Sequence, residues 1–428
     1  MPKRLDAAWG SVRQGSSSRS KGPDGITLGE FSRNWHLHRD AIRNQLRGNC
    51  YIFGGYLGHA IAKAGPRDPP SLKSFRPISV ANIRDRVVQR AILEAIWPDI
   101  RDRVVTKSSF GGVRRYAQSS RNVQPDDNDR RCIKRAANKI FSLRQSGFCW
   151  IFETDIVDFF SSIDKVSLLE SLAGALRDQS LVKVISDSLS TEVTNAGQLG
   201  FRAGLWNSLW GVPQGGVLSP ALANFYLFAL DKAMEREGFK VIRYVDDLII
   251  LARDEPEATA AHDLCLETLS ELRLKIHPLG ENSKTRIIAP NKPFRFLGLE
   301  FSARSIRPTL EKFAKLTDSI DSITDPRRRN QLTGVIQELN WLVLGFMSAY
   351  DFCNLTQNEL AIFDSRIGFR VRQWMCRRGI IRNVRHVTSD AFAYLGIKRF
   401  SDRLLNPIVD RARPGELVKS ESHATNAM

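Results

Sequence analysis

The chain has 428 residues, 42% hydrophobic and 25% charged, an ordinary balance for folded protein with length for two or three lobes. Its 63 basic against 46 acidic residues give a net charge of +17. That excess points to a polyanionic partner, through counterion release from a phosphate backbone or attraction to an anionic membrane surface. No apolar run reaches the roughly 20 residues that span a bilayer. Six scattered cysteines without a CxxC pair indicate neither a zinc ribbon nor a disulfide framework. A reducing cytoplasm, with no membrane partner, is the expected setting.

In chain order, residues 1–20 are basic and Ser-rich, read as a mobile tail without the apolar core of a signal peptide. Pro23-Asp24-Gly25 is turn chemistry, and helical patterning follows over 28–48. Pro77 biases Arg76 towards extended backbone. An amphipathic helix then buries Val87, Val88, Ala91, Ile92, Ala95 and Ile96 on one face. A polar loop over 118–131 precedes a basic helix at about 132–145. "FCWIFETDIVDFFSSID" (148–164) reads as a strand ending in a charged turn. Residues 190–211 read as loop, and 220–238 as one helix started by Pro220 and stopped by Gly238. "KVIRYVDDLIILA" (240–252) is a hairpin with its tip at Tyr244–Asp247, and a helix follows over 262–274. The C-terminal part opens with helical segments at 306–320 and 325–346. In the second, Asp325 caps, Pro326 is first, and Leu332, Val335, Ile336, Leu339, Leu342 and Val343 form a stripe. The tail beyond about 410 reads as loose. An α+β centre between helical lobes is the fold class expected.

Asp246 and Asp247 lie inside the apolar run "VIRYVDDLIILA". Two ionised carboxylates in a buried hairpin are costly unless paired or metal-bound. At a tight tip both can reach one edge of the sheet, and Asp155, ending the apolar strand "WIFETDIV", supplies a third. A plain polar turn is the alternative for an isolated Asp-Asp, but the apolar flanks and Asp155 favour the metal site. Three hard oxygen donors suit Mg²⁺. Two such ions about 4 Å apart serve in-line phosphoryl transfer.

The order of blocks resembles the bacterial reverse transcriptases of the group II intron, retron and defence-associated class, most of all the stand-alone defence-associated enzymes. The likeness covers residues 21–301 and, more weakly, a maturase-like helical thumb. It is carried by "FETDIVDFFSSID", "GVPQGGVLSPALANFYLFALD", "RYVDDLIIL", "LKIHPLGENSKTRI" and "FRFLGLEF". The resemblance implies a right-hand polymerase: fingers over 21–115 and 163–218, a palm with a ferredoxin-like antiparallel sheet over 116–162 and 219–305, a thumb over 306–400 and a tail over 401–428. It places Asp155, Asp246 and Asp247 at the catalytic and metal positions, for two Mg²⁺ ions with Mn²⁺ as the alternative. Arg76, Phe160, Gln214 and Lys284 fall at nucleotide-binding positions, Phe160 as the steric gate against a ribose 2′-hydroxyl. Tyr244, Leu297 and Gly298 fall at the primer grip. Val245 replaces the alanine usual between Tyr and Asp-Asp.

Residues 365–386 hold seven arginines and no acidic residue, with Phe369 and Trp374 interleaved. Arg378, Arg382 and Arg385 are expected on one helical stripe. With Arg327, Arg328, Arg370 and Arg377 they are the candidates for nucleic-acid backbone contact. No nuclease block follows. The partners implied are an RNA template (a structured noncoding RNA), a cDNA product and dNTPs; the sequence sets no oligomeric state. Three roles are compatible: an antiphage enzyme copying a dedicated noncoding RNA, an intron-encoded maturase without an endonuclease, and an RNA-binding splicing cofactor. Defence is favoured on the short termini.

Overall fold

The computed structural model describes residues 2–15, 20–63, 71–112, 129–190, 192–206, 210–328, 330–383 and 389–403. The chain divides into two compact units. The first is built from residues 1–115, 152–252 and 256–287, the second from 116–151, 253–255 and 288–428. Helices and antiparallel sheets are mixed, as a right-hand polymerase fold requires. Among the described residues no helix is long and apolar enough to cross a membrane.

The first unit contains a hairpin of β1 (Leu57–Ala62) and β2 (Phe75–Val80), in which Ile61 faces Arg76. Beyond it lies a four-stranded sheet formed by β3 (Trp150–Asp155), β4 (Lys240–Tyr244), β5 (Asp247–Ala252) and β6 (Arg286–Ile288), in the order β4-β5-β3-β6. Val241, Ile242 and Leu248–Ala252 are all buried. The hairpin is covered on both faces, so its sequence is a continuous apolar run rather than an alternation. The helix Ile83–Val104 buries the expected Val87, Val88, Ala91, Ile92 and Ile96, and continues past Pro98.

Three expectations are corrected here. Residues 2–15 are not a mobile tail but a helix, and Leu5, Ala8, Trp9 and Val12 are buried at the i, i+3, i+4, i+7 spacing where it packs on Ile83–Val104. Trp9 stacks on Trp35 with ring centroids 5.4 Å apart. Basic, Ser-rich composition had hidden this stripe. Residues 196–206, read as loop, form the short helix Ala196–Leu199 and a 3₁₀ segment, Gly200–Trp206. The helix expected over 220–238 is present but broken in two, Ser219–Tyr226 and Phe228–Arg236, with Leu227 at ψ 3° between them.

The second unit contains a meander of β7 (Phe294–Phe296), β8 (Leu299–Phe301) and β9 (Ile306–Pro308), and the helices Asp129–Gln145, Leu310–Ile323, Leu332–Tyr350 and Gln357–Arg377. Val335, Leu339 and Val343 of the expected stripe are buried, and Phe400 closes their core against Phe346 and Phe363, with ring centroids 5.7 and 5.8 Å away. Asp325 does not cap this helix, which starts at Leu332. Its carboxylate instead accepts from the Arg327 backbone N–H at 2.9 Å and from Arg327 Nη2 at 2.8 Å. Those bonds hold it at a pKa of about 2.

Candidate active site

The tip of the β4–β5 hairpin pairs Tyr244 with Asp247, leaving Val245 and Asp246 as the two turn residues. Val245 has φ +62°, a conformation that a β-branched side chain adopts only at a cost of roughly 1–3 kcal/mol. The floor beneath the tip explains why it persists. Segment 108–110 runs beside β4, with Arg243 N–H donating to Ser108 O and Phe110 N–H to Arg243 O, both at 2.8 Å. It ends in two glycines. A Cβ on Gly111 would fall 2.3 Å from the Tyr244 ring, and one on Gly112 2.7 Å from Val245 Cγ2.

Arg243, fully buried within β4, holds the turn from behind. Its Nη1 donates to Val245 O at 3.0 Å and to Asn224 Oδ1 at 2.6 Å. Its Nε and Nη2 clasp both oxygens of the equally buried Asp231 at 2.8 and 2.6 Å. Thr106 Oγ1 adds a bond to Asp231, and Asn224 Nδ2 reaches Gly111 O. Each charge is thus paired and hydrogen-bonded, the condition under which a buried ion pair is tolerated. Sequence reasoning assigned no role to Arg243 or Asp231. The available signal was an arginine inside a strand with no polar neighbour on its own face.

Asp155, Asp246 and Asp247 lie near one another at one end of the sheet. Ile156 N–H donates to Asp246 O at 3.3 Å, joining the tip to the residue after Asp155. Burial pushes the Asp246 carboxyl upward, with the Asp155 charge adding to it and Arg76 and Lys284 opposing. Asp247 opens to solvent at the rim, yet burial of its carboxyl and the charges of Asp246 and Asp155 raise it to about 7. Three side-chain pairs run along β3 and the start of β6: Glu153 with Arg286 (2.9 Å), Thr154 with Thr285 (2.8 Å), and Asp155 Oδ2 with Lys284 Nζ. His277 Nε2 lies 3.4 Å from Asp155 Oδ1. That oxygen is buried and accepts no hydrogen bond. Among the described residues no three acidic, His or Cys side chains are already drawn to ligand spacing. The donor set nevertheless suits a hard divalent cation: acceptor-only oxygens, one of them orphaned.

Arg76 and Lys284 are both close enough to influence Asp246. Phe160 lies in the one-turn helix Phe159–Ser162 that follows Asp158, a residue in left-handed conformation (φ +45°), and its carbonyl accepts Val212 N–H at 2.7 Å. Gln214 is half-buried in the Pro213–Val217 turn, its carbonyl accepting Ser79 N–H from β2 at 2.7 Å. Leu297 and Gly298 form the β7–β8 turn of the second unit, both at positive φ (+54° and +73°). A Cβ on Gly298 would meet Lys312 Cε at 2.4 Å.

The arginines are less uniform than expected. The helix carrying Arg370 ends at Arg377, where Gly379 turns left-handed (φ +69°) and Ile380 N–H bonds back to Met375 O. Arg378, at its C-cap, and Arg382, beyond it, therefore share no helical stripe; Arg385 lies outside the described residues. Arg370 is engaged with Thr324 and Asp321, Arg328 with Glu338, Arg327 with Asp325, and Arg378 with the Arg328 carbonyl. Arg377 is exposed. Trp374 is buried and Phe369 is exposed.

Residues 61–301 match the family described as "Reverse transcriptase (RNA-dependent DNA polymerase)". The chain is 24% identical over 267 residues to Protein YkfC of Escherichia coli K12, covering 54% of this chain and 64% of that protein. It is 28% identical over 160 residues to the group II intron-encoded protein LtrA of Lactococcus lactis subsp. cremoris, covering 37% of this chain and 23% of that one. The chain therefore spans under two thirds of these relatives. Among solved structures, a chain of a partial Cas6-RT-Cas1–Cas2 complex is 23% identical, with 64% of this chain and 40% of that one covered and a TM-score of 0.34.

Proposed function

The chain belongs to the reverse transcriptase family, and on that premise we propose that it is an RNA-directed DNA polymerase whose active site is the β3–β5 sheet end. The supporting observation is that Asp246 and Asp247 sit at a turn braced by Arg243, near enough to Asp155, at the end of β3, for its charge to act on both. Asp155 and Asp246, with Asp247 in support, would hold the divalent ions, Mg²⁺ or Mn²⁺. Bound there, such ions supply Lewis acidity to the attacking primer 3′-hydroxyl and to the departing pyrophosphate. The protein's own share is orientation and charge. Arg76 offers a guanidinium fork to the triphosphate, and Lys284 offers a mobile ammonium beside it. The Phe160 ring excludes a ribose 2′-hydroxyl, Gln214 lies against the sugar, and Tyr244, Leu297 and Gly298 seat the primer end. In this reading the fingers, palm and thumb keep the residue ranges given above, and the exposed arginines of the thumb contact the nucleic-acid backbone.

The test is primer extension on an RNA template with dNTPs. Synthesis by the wild type and none by the Asp246→Ala/Asp247→Ala double variant is the expected result; undiminished synthesis by that variant would sink the assignment. For the RNA copied, the defence reading expects a dedicated structured noncoding RNA with its cDNA. Likeness to an intron-encoded protein favours a second reading, in which ribozyme RNA co-purifies. Sequencing the co-purified RNA and cDNA separates them. The splicing-cofactor role expects RNA splicing to survive loss of the aspartates.

A further inference from the structure

A second buried network lies behind the Pro213–Val217 turn. Gln89, on the helix Ile83–Val104, is 2% exposed and uses both ends of its amide. Its Nε2 donates to the Tyr56 hydroxyl at 3.1 Å, and its Oε1 accepts Val217 N–H at 3.2 Å. The Tyr56 hydroxyl, also buried, donates onward to Ser188 O at 2.9 Å. The direction of each link is forced. A backbone N–H can only donate, so Oε1 must face Val217; Ser188 O can only accept, so the one Tyr56 proton is committed there and the hydroxyl takes the Gln89 N–H on a lone pair. No other arrangement of the amide satisfies all three partners.

The near side of the same turn is fixed independently. Ser79 N–H holds Gln214 O, and Ser219 Oγ holds Pro213 O at 2.6 Å. A Cβ on Gly215 (φ +106°) would lie 2.7 Å from Ser79 O, so backbone rests on backbone. Ser79 belongs to β2, the strand of Arg76. Val217 is where the far end of the turn is fastened, and its fastener is Gln89. Tyr56, in turn, heads β1 and exchanges backbone bonds with Glu192 O (2.8 Å) and Thr194 N (2.9 Å). Gln89 is thus the node at which the β1–β2 hairpin, the helix Ser180–Leu189 and the Gln214 turn are joined.

We propose that Gln89 is a positioning residue for the incoming nucleotide, setting through Val217 where Gln214 stands relative to Arg76. The proposal rests on the reading of Gln214 and Arg76 as nucleotide contacts. A merely structural glutamine would alter stability alone; a positioning one alters the dNTP concentration the enzyme needs.

The experiment is single-nucleotide incorporation on a preformed RNA–DNA primer–template, with thermal unfolding measured on the same samples. Gln89→Leu removes both links and is expected to raise KM for the dNTP on the order of ten-fold, the size of one lost buried hydrogen bond, with kcat within about two-fold. Gln89→Glu keeps an acceptor for Val217 N–H but loses the donor to Tyr56, so its KM should fall between wild type and Gln89→Leu. Should Gln89→Leu fail to fold, Gln89→Glu against Tyr56→Phe makes the comparison: both remove the Gln89 N–H donation to Tyr56 while leaving an acceptor for Val217 N–H, and Tyr56→Phe also removes the bond to Ser188 O. A raised KM in both then supports the relay, and wild-type KM in both overturns it. Gln214→Ala is the control. If it raises KM while Gln89→Leu leaves KM unchanged, the positioning role is overturned. If Gln214→Ala itself leaves KM unchanged, the reading of Gln214 as a nucleotide contact fails, and the proposal falls with it for that separate reason.

Discussion

Removing Asp231 tests the brace behind the hairpin tip most directly. Asp231→Leu takes away two charge-assisted bonds, 2.8 and 2.6 Å, from an arginine with no exposed side-chain surface. Arg243 keeps only Asn224 Oδ1 and Val245 O as partners among the bonds described above. Breaking one side of a buried ion pair leaves an uncompensated charge and costs about 3–5 kcal/mol. Urea unfolding of the variant should show that loss. The double variant Asp231→Leu/Arg243→Met removes both charges, and replacing a buried pair with apolar groups is far less costly than breaking it, so part of the stability should return, short of the full amount because Thr106 Oγ1, Asn224 Oδ1 and Val245 O lose these partners. Activity should not return, because Val245 loses the Nη1 donor that supports its left-handed backbone, a conformation costing roughly 1–3 kcal/mol. The two readouts must therefore separate in the double variant. Recovery of stability and primer extension together would refute the claim that Arg243 holds the turn; a single-variant loss below about 1 kcal/mol, the size of an ordinary hydrogen bond, would refute the energetic argument.

Three further outcomes follow from the geometry. Asp247 would have to be ionised to bind a cation, and burial with the neighbouring Asp246 and Asp155 charges raises its carboxyl to about 7, so the Mn²⁺ concentration needed to raise the melting temperature should climb as pH falls through 7; Asp247→Asn should flatten that dependence, and an unchanged profile in the variant would disprove it. Lys284 pairs with Asp155 and would compete with a cation held there, so Lys284→Met should bind Mn²⁺ more tightly by paramagnetic titration while losing dNTP affinity; weaker Mn²⁺ binding would contradict the competition. Trp9, 6% exposed, should cost about 3–5 kcal/mol as Trp9→Ala and expose residues 2–15 to early proteolysis, whereas a mobile tail would be cut at the same rate in the wild type.

The parts of the site legible in the sequence are those that local pattern determines. "VIRYVDDLIILA" announced a hairpin because apolar residues on both faces of a strand need cover and two aspartates at the tip need a purpose. The strand that Asp155 ends was legible for the same reason, as an apolar run closed by a charge. The brace was not, because Arg243 and Asp231 carry no mark of each other until the helix Phe228–Arg236 and β4 are side by side. The N-terminal helix was obscured by composition: lysine, arginine and serine outvoted four apolar residues whose spacing alone held the information. The end of the arginine-rich helix depended on a single residue, Gly379, whose left-handed backbone stops what charge periodicity would continue. Asp325 illustrates the opposite error, since its pattern fits a cap but Arg327, two residues on, competes for the same carboxylate and wins.

The ladder of Glu153–Arg286, Thr154–Thr285 and Asp155–Lys284 carries a consequence for insertions. Side chains on a strand alternate with a period of two, so adding one residue between Thr285 and Arg286 would shift Thr285 and Lys284 by one position, turning each to the opposite face, and place a hydroxyl where Asp155 meets an ammonium. Adding residues at the exposed Glu281–Asn282 tip, a few positions earlier, leaves the pairing untouched. Six residues of sequence thus hold both a place expected to tolerate a reporter peptide and one where a single-residue insertion is expected to abolish primer extension. A scan of such insertions across 280–287 would map the boundary between them to a single peptide bond.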